Sequence, residues 1–204
     1  MDLKKLRKKM KKVMDDERYE HTLSVAYTAA NLAAVHGADV EKALRAGMLH
    51  DCAKCLTDSE KLTLCEKFHI NISAVERRNP SLLHAELGAK LAKDLYEETD
   101  KDVLNAISSH TTGRPGMSLL EKIIFVADYI EPGRNKAPNL KQIRKLAYDD
   151  IDLAVIQILQ DTMDYLVKTK SDIHPGTQRT LEYYLKQSKE GRGHGSKRNR
   201  ETGN

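Results

Sequence analysis

The stretch SLLEKIIFVADYI, residues 118–130, decides the fold. Leu119, Leu120, Ile123, Ile124, Phe125, Val126, Ala127, Tyr129 and Ile130 leave it no polar face, and a helix that is apolar all round belongs at the centre of a bundle. Ser118 and Glu121 stand at capping-box spacing and start the helix; Glu131-Pro132-Gly133 ends it. Asp128 is the anomaly. An unpaired carboxylate in so apolar a helix costs several kcal/mol, and residues 123–127 hold no Lys or Arg. A metal ion or a basic residue of another helix must therefore supply the charge.

Helical signals continue on both sides. Leu3, Leu6, Met10, Val13 and Met14 make a first amphipathic helix whose other face is nearly all lysine. A second, over residues 17–36, sets Tyr19, Leu23, Ala26, Ala30 and Ala33 on one stripe and stops at Gly37; its small residues allow close helix packing. Asp39 caps a third, which buries Val40, Ala43, Leu44, Gly47 and Met48 and runs into His50-Asp51. Thr57 and Glu60 box-cap a short fourth. Pro80 opens a helix in which Leu83, Leu87, Leu91 and Leu95 recur beside His84 and Gly88, and Val103, Leu104 and Ile107 carry another up to His110. Residues 111–116, TTGRPG, must form a loop. Asn139 is expected to cap one long segment through Leu140, Ile143, Leu146, Ile151, Ala154, Ile158 and Leu166, and a last helix follows His174-Pro175. Period-two runs and hairpin turns are missing, so the fold class is all-α.

Charge separates the ends from the middle. Residues 1–18 hold eight basic side chains against four acidic and residues 186–204 six against two, so the net +4 of the chain hides an interior of −4. An acidic, histidine-bearing interior suits cations. The expected organisation is a basic amphipathic helix over 1–16, one domain over 17–187 and a disordered basic tail over 188–204, where Gly, Lys, Arg and Asn dominate. No run approaches the roughly 20 apolar residues of a membrane span, and the Lys-rich start has no apolar signal core. Three cysteines, an odd count, are a poor disulfide framework and agree with a reducing, cytoplasmic location.

The groups able to share a cation with Asp128 are His21, His50, Asp51, His84 and His110, each on or ending a helix with an apolar face. Any one of these histidines alone would read as a hydrogen-bonded core residue; together they bring nitrogen ligands from four helices to one centre. Neighbours in mid-helix diverge by about 100°, so His50 and Asp51 can both point inward only at or near a helix end. Imidazole and carboxylate without thiolate favour iron or manganese over a structural zinc site.

At this point the chain resembles the HD-domain metal-dependent phosphohydrolases, whose His…His-Asp…Asp order is reproduced by His21, His50-Asp51 and Asp128. The strings GMLHDCAK (47–54), LHAE (83–86), HTTGRPGMS (110–118) and ADYIEPGR (127–134) resemble its YqeK-type branch in particular, over roughly residues 17–185. That resemblance implies an HD-domain helical bundle around a dinuclear metal site with two iron ions per chain, manganese or another divalent metal being the alternative. It implies that His21, His50, Asp51 and Asp128 hold one iron and Asp51, His84 and His110 the second, with Asp51 bridging. It also implies a homodimer and symmetrical hydrolysis of diadenosine tetraphosphate, or a related dinucleoside polyphosphate, to ADP by a metal-bridged hydroxide.

A polyphosphate is repelled by an acidic interior unless local cations reverse the potential. Lys54 follows the His-Asp pair by a turn, Arg114 sits on the loop after His110, and Arg134 follows Asp128. Asp51, Lys54 and Arg114 are the expected catalytic residues. Lys54, Thr111, Thr112, Arg114, Arg134 and His174 are the expected substrate contacts, with Thr177 beside His174. The plain alternative makes the arginines surface ion-pair partners. Cys52 and Cys55 have metal-like spacing but no second pair, so they are read as inert. Two other functions compete: an HD-domain enzyme for another nucleotide, such as a nucleoside monophosphate or deoxynucleotide, since the ligands do not set specificity, and a non-enzymatic protein whose basic ends grip nucleic acid. The basic ends are taken as solvated appendages, and neither nucleic acid nor membrane is an expected partner.

Overall fold

The computed structural model describes residues 1–198, the stretch 191–198 as helix backbone only, and all described secondary structure is helical. Helix α1 (Leu3–Val13) is capped by Asp2 and buries Leu6 and Met10. Helix α2 (Asp16–His36) starts at Asp15 and ends in Gly37, which takes the left-handed conformation with φ 74°. Helix α3 (Val40–Leu49), capped by Asp39, lies across α2 at a point where no side chain separates the backbones: a Cβ on Gly47 would stand 2.6 Å from the Ala26 Cα. The small residues of the two helices thus let them approach closely.

Helix α4 (Asp58–Lys67) and the short α5 (Ala74–Arg78) begin with capping boxes. Pro80 opens a 3₁₀ turn, Pro80–Leu83, and the regular helix α6 (His84–Tyr96) begins only at His84. Leu83, Leu87 and Leu91 are buried, but Leu95 is exposed and Tyr96 takes the inward place. A four-residue repeat drifts by about 40° per step around a 3.6-residue helix, so its fourth member has left the face. Helix α7 (Lys101–Ser109) leads to His110.

Helix α8 (Leu119–Ile130) is the axis of the bundle and packs against α2, α3, α7 and two later helices, α9 (Leu140–Asp149) and α10 (Ile151–Lys168). Its Ile123, Ile124, Val126 and Ala127 have no exposed surface. Residues 139–168 are not one helix. Asn139 is left-handed (φ 59°) and makes no cap; its amide donates to the Asp161 carboxylate. Asp150 is extended and breaks the segment because its carboxylate accepts from the Asp152 and Leu153 amides, a new N-cap. Helix α11 (Pro175–Arg198) continues through residues 188–198, where the composition alone suggests disorder; propagating an existing helix adds one hydrogen bond per residue fixed. The remainder of the expected tail, 199–204, lies outside the described residues. No described helix is long and apolar enough to cross a membrane.

Candidate metal centre

Five helix ends and turns aim at one point beside α8. His21 lies in the second turn of α2, and His50 and Asp51 follow the last residue of α3 in a run of turns, where both can face inward. His84 opens α6, His110 closes α7, and Asp128 lies in the last turn of α8. Three of these histidines are held in the same way. Nδ1 of His50 donates to the Gly47 carbonyl at 2.7 Å, Nδ1 of His110 to Ile107 at 2.7 Å, and Nδ1 of His84 to Ser81, each three residues back. A carbonyl only accepts, so the proton sits on Nδ1 and the Nε2 lone pair points into the centre.

Asp51 is the hub. Its Oδ1 lies 3.3 Å from His84 Nε2 and 3.7 Å from His110 Nε2, whereas its Oδ2 lies 3.6 Å from His50 Nε2 and 3.9 Å from His21 Nε2. Asp128 Oδ1 is 3.1 Å from His21 Nε2 and 4.0 Å from His50 Nε2. Three overlapping triads therefore hold their donor atoms within 4.8 Å of one another: His21, His50 and Asp51; His50, His110 and Asp128; Asp51, His84 and His110.

Burial alone would raise the Asp51 carboxyl, but His50, His110 and His84 around it hold it well below the usual range. Asp128 follows the same pattern, burial being outweighed by His21, His50, His110 and Arg134. Burial lowers His50, and burial with His110 beside it brings His84 down to about 3, so both rings are neutral at pH 7. Burial opposes the charge on His21, but Asp128 and Glu131 raise it. The ionised carboxylates of Asp51 and Asp128 beside the neutral rings of His50 and His84 concentrate negative charge and lone pairs at one point.

That donor set fits divalent cations. His84 and His110 meet Nε2 to Nε2 at 3.0 Å, and the buried Nε2 atoms of His21 and His50 have no hydrogen-bond partner. His21 Nε2 is close to Asp128 but not angled to bond to it. Donor atoms are nitrogen and oxygen throughout, as suits iron or manganese. Cys52 Sγ turns away to the Gly88 carbonyl at 3.3 Å, Cys55 is exposed, and all three cysteines are free.

Around this cluster the expected substrate residues divide. Lys54 Nζ stands 3.4 Å from both Ser81 Oγ and His84 Nδ1, and burial lowers its pKa. Thr111 Oγ1 lies 3.2 Å from the Nε2 atoms of both His84 and His110. Arg134 grips Asp128, NH2 to Oδ1 at 2.7 Å and Nε to the backbone carbonyl at 3.0 Å. Thr112 and His174 flank Gly176; the His174 Nδ1 accepts from the Gly176 amide, and the neighbouring Thr177 is buried. Arg114 makes no hydrogen bond or ion pair with a residue of the cluster. Its guanidinium forms a two-pronged pair with the buried Glu121, both contacts at 2.6 Å, and so braces the 111–116 loop against α8.

Two residues of the site escape a reading of the sequence. Arg18 NH1 donates to Asp51 Oδ2 at 2.7 Å, and Glu131 Oε1 accepts from His21 Nδ1 at 3.2 Å while its Oε2 accepts from the Gly133 amide. Arg18 precedes His21 by three residues and Glu131 follows Asp128 by three, so helical spacing is the signal that could have found them. Arg18, His21, Glu131, Gly133 and Arg134 line a cavity of 310 Å³ beside the cluster, and a neighbouring one of 590 Å³ continues past Asp128 to Asn135 and Lys136. A separate 450 Å³ cavity between Met117, Lys122, Tyr183 and Tyr184 holds none of these groups.

The HD domain family matches residues 18–133, a span that contains every residue of the cluster. The chain is 41% identical to a protein of Halalkalibacterium halodurans named a symmetrical bis(5'-nucleosyl)-tetraphosphatase, over 86% of this chain and 93% of that one. A Bacillus subtilis protein of the same name is 40% identical over 86% of this chain and 94% of its own. A crystal structure from Clostridium acetobutylicum, described as a predicted HD superfamily hydrolase involved in NAD metabolism, superposes with a TM-score of 0.88 at 37% identity, covering 92% of this chain and 98% of that one. The chain belongs to the HD-domain family and, within it, to the YqeK-type branch that these relatives represent.

Proposed function

We propose that this chain hydrolyses diadenosine tetraphosphate symmetrically, to two molecules of ADP, at a pair of iron ions. The observation that carries the reading is the division of Asp51: its two oxygens face different histidine pairs, as a bridging carboxylate requires. His21, His50, Asp51 and Asp128 would hold one ion and Asp51, His84 and His110 the other. When bound, such a pair supplies an activated water and neutralises the attacked phosphate.

The protein side chains supply the rest. Glu131 keeps the His21 proton on Nδ1, away from the ligand atom. Lys54 beside His84 and Arg134 beside Asp128 place positive charge at the cluster, so a polyanion can approach an acidic interior. Thr111 sets a hydroxyl donor beside the His84–His110 pair, where a phosphate oxygen would lie. Thr112 and His174 are the nucleoside-side contacts. Arg114, held by Glu121 on the loop that carries Thr111 and still half exposed, braces that loop and offers its remaining donors to an incoming phosphate. The test is elemental analysis of the purified protein, expected to give about two irons per chain, joined to chromatography of the products. An iron-loaded protein that leaves the dinucleotide intact would refute the reading.

A further inference from the structure

We infer that Arg18 is a positioning residue of this centre that weakens metal binding on one side in exchange for a grip on substrate phosphate. The inference rests on the metal-centre reading above. Arg18 NH1 takes Asp51 Oδ2 at 2.7 Å, the oxygen that faces His21 and His50, and leaves Oδ1, which faces His84 and His110, without a cationic partner. The guanidinium therefore bears on one ligand set only. Its backbone is fixed, because the Arg18 amide donates to the N-cap Asp15 at 2.7 Å. Its side chain is 31% exposed and lines the 310 Å³ cavity together with Glu17, Glu20, Glu131 and Arg134, the last of which holds Asp128 in the same manner.

Such a placement has two consequences of opposite sign. A cation hydrogen-bonded to a ligand oxygen draws charge from it and repels a second cation, so it lowers the affinity of the His21–His50–Asp51 set. The same guanidinium, planar, multidentate and open to the cavity, suits a phosphate of the bound dinucleotide or of ADP. A residue that served only as a structural brace would weaken metal and nucleotide binding together when removed.

The experiment is calorimetric titration of metal-stripped wild type, Arg18→Gln and Arg18→Lys with Mn²⁺, followed by titration of each Mn²⁺-loaded protein with ADP. In Arg18→Gln one class of Mn²⁺ site should tighten about tenfold while the other is unchanged; outer partners of metal ligands act on this scale but ordinarily strengthen binding, and the opposite sign follows here because this partner is a cation. ADP should bind about tenfold more weakly, with Arg18→Lys between the two for both ligands. Mn²⁺ affinity that is unchanged or reduced in Arg18→Gln, or unchanged ADP affinity, overturns the inference while leaving the centre intact. Wild type that takes up no Mn²⁺ overturns the centre and the inference with it.

Discussion

His84 and His110 meet Nε2 to Nε2 at 3.0 Å, each with its Nδ1 hydrogen already given to a backbone carbonyl. Two lone pairs held that close are tolerable only where something positive lies within their reach, and Asp51 Oδ1 adds a third acceptor at 3.3 Å. Removing metal should therefore leave the apolar core folded but less stable. A ligand present at a hundredfold over its Kd contributes about 2.7 kcal/mol, so chelation should lower the melting temperature of the wild type clearly and that of Asp51→Ala very little. Thermal melts with and without chelator check this; equal shifts in both proteins would count against the ligand assignment.

Gly47 carries the approach of α3 to α2. Because a Cβ there meets Ala26 backbone at 2.6 Å, Gly47→Ala must push the helices apart, at about 1–3 kcal/mol. His50 follows within one turn and donates its Nδ1 hydrogen to the carbonyl of that same residue, with Asp51 next in the chain, so metal content should fall with stability. Urea midpoints and elemental analysis of the variant measure both.

Arg114 and Glu121 give a pH-dependent contribution. Burial alone raises the Glu121 carboxyl; Arg114, Ser118 and Ser109 outweigh it and hold it below its ordinary value. A folded-state pKa that is depressed contributes stability above the unfolded pKa, lost as pH falls through the folded one. Arg114→Ala should thus cost about 1–3 kcal/mol at neutral pH with metal content retained. The gap to wild type should close on acidification below the ordinary Glu value of about 4.3. A gap independent of pH would place the role of Arg114 elsewhere.

Glu131→Gln keeps the size of the side chain but removes the charge that orients His21 and accepts the Gly133 amide. Outer partners of metal-binding histidines are commonly worth 10- to 100-fold in metal affinity, and a loss of about that size is expected, without loss of fold. Competition with a chromogenic chelator reads it directly.

How much of this was legible beforehand depends on whether a signal was local. The all-apolar run of α8, the Gly37 stop and the capping boxes at Thr57 and Ser118 announce themselves in single windows, and the helices follow. So does the inward turn of His50 and Asp51, because neighbours can share a direction only past a helix end. Arg114 and Glu121 show the opposite case. Each has a local reading, loop cation and capping-box acid, and their fork pair appears only once the loop folds onto α8. Asn139 has cap chemistry but is drawn off by Asp161, a residue far along the chain. Arg18 and Glu131 lie on polar surfaces by pattern, and only the packing of α2 against α3 sets Arg18 against Asp51, as that of α2 against α8 sets Glu131 against His21.

The most direct test of the account is the product of metal-loaded protein acting on diadenosine tetraphosphate, followed by chromatography beside an Asp51→Ala control. The account predicts ADP as the sole nucleotide product from wild type and no turnover by the variant. ATP with AMP in place of ADP, or equal turnover by Asp51→Ala, would contradict it.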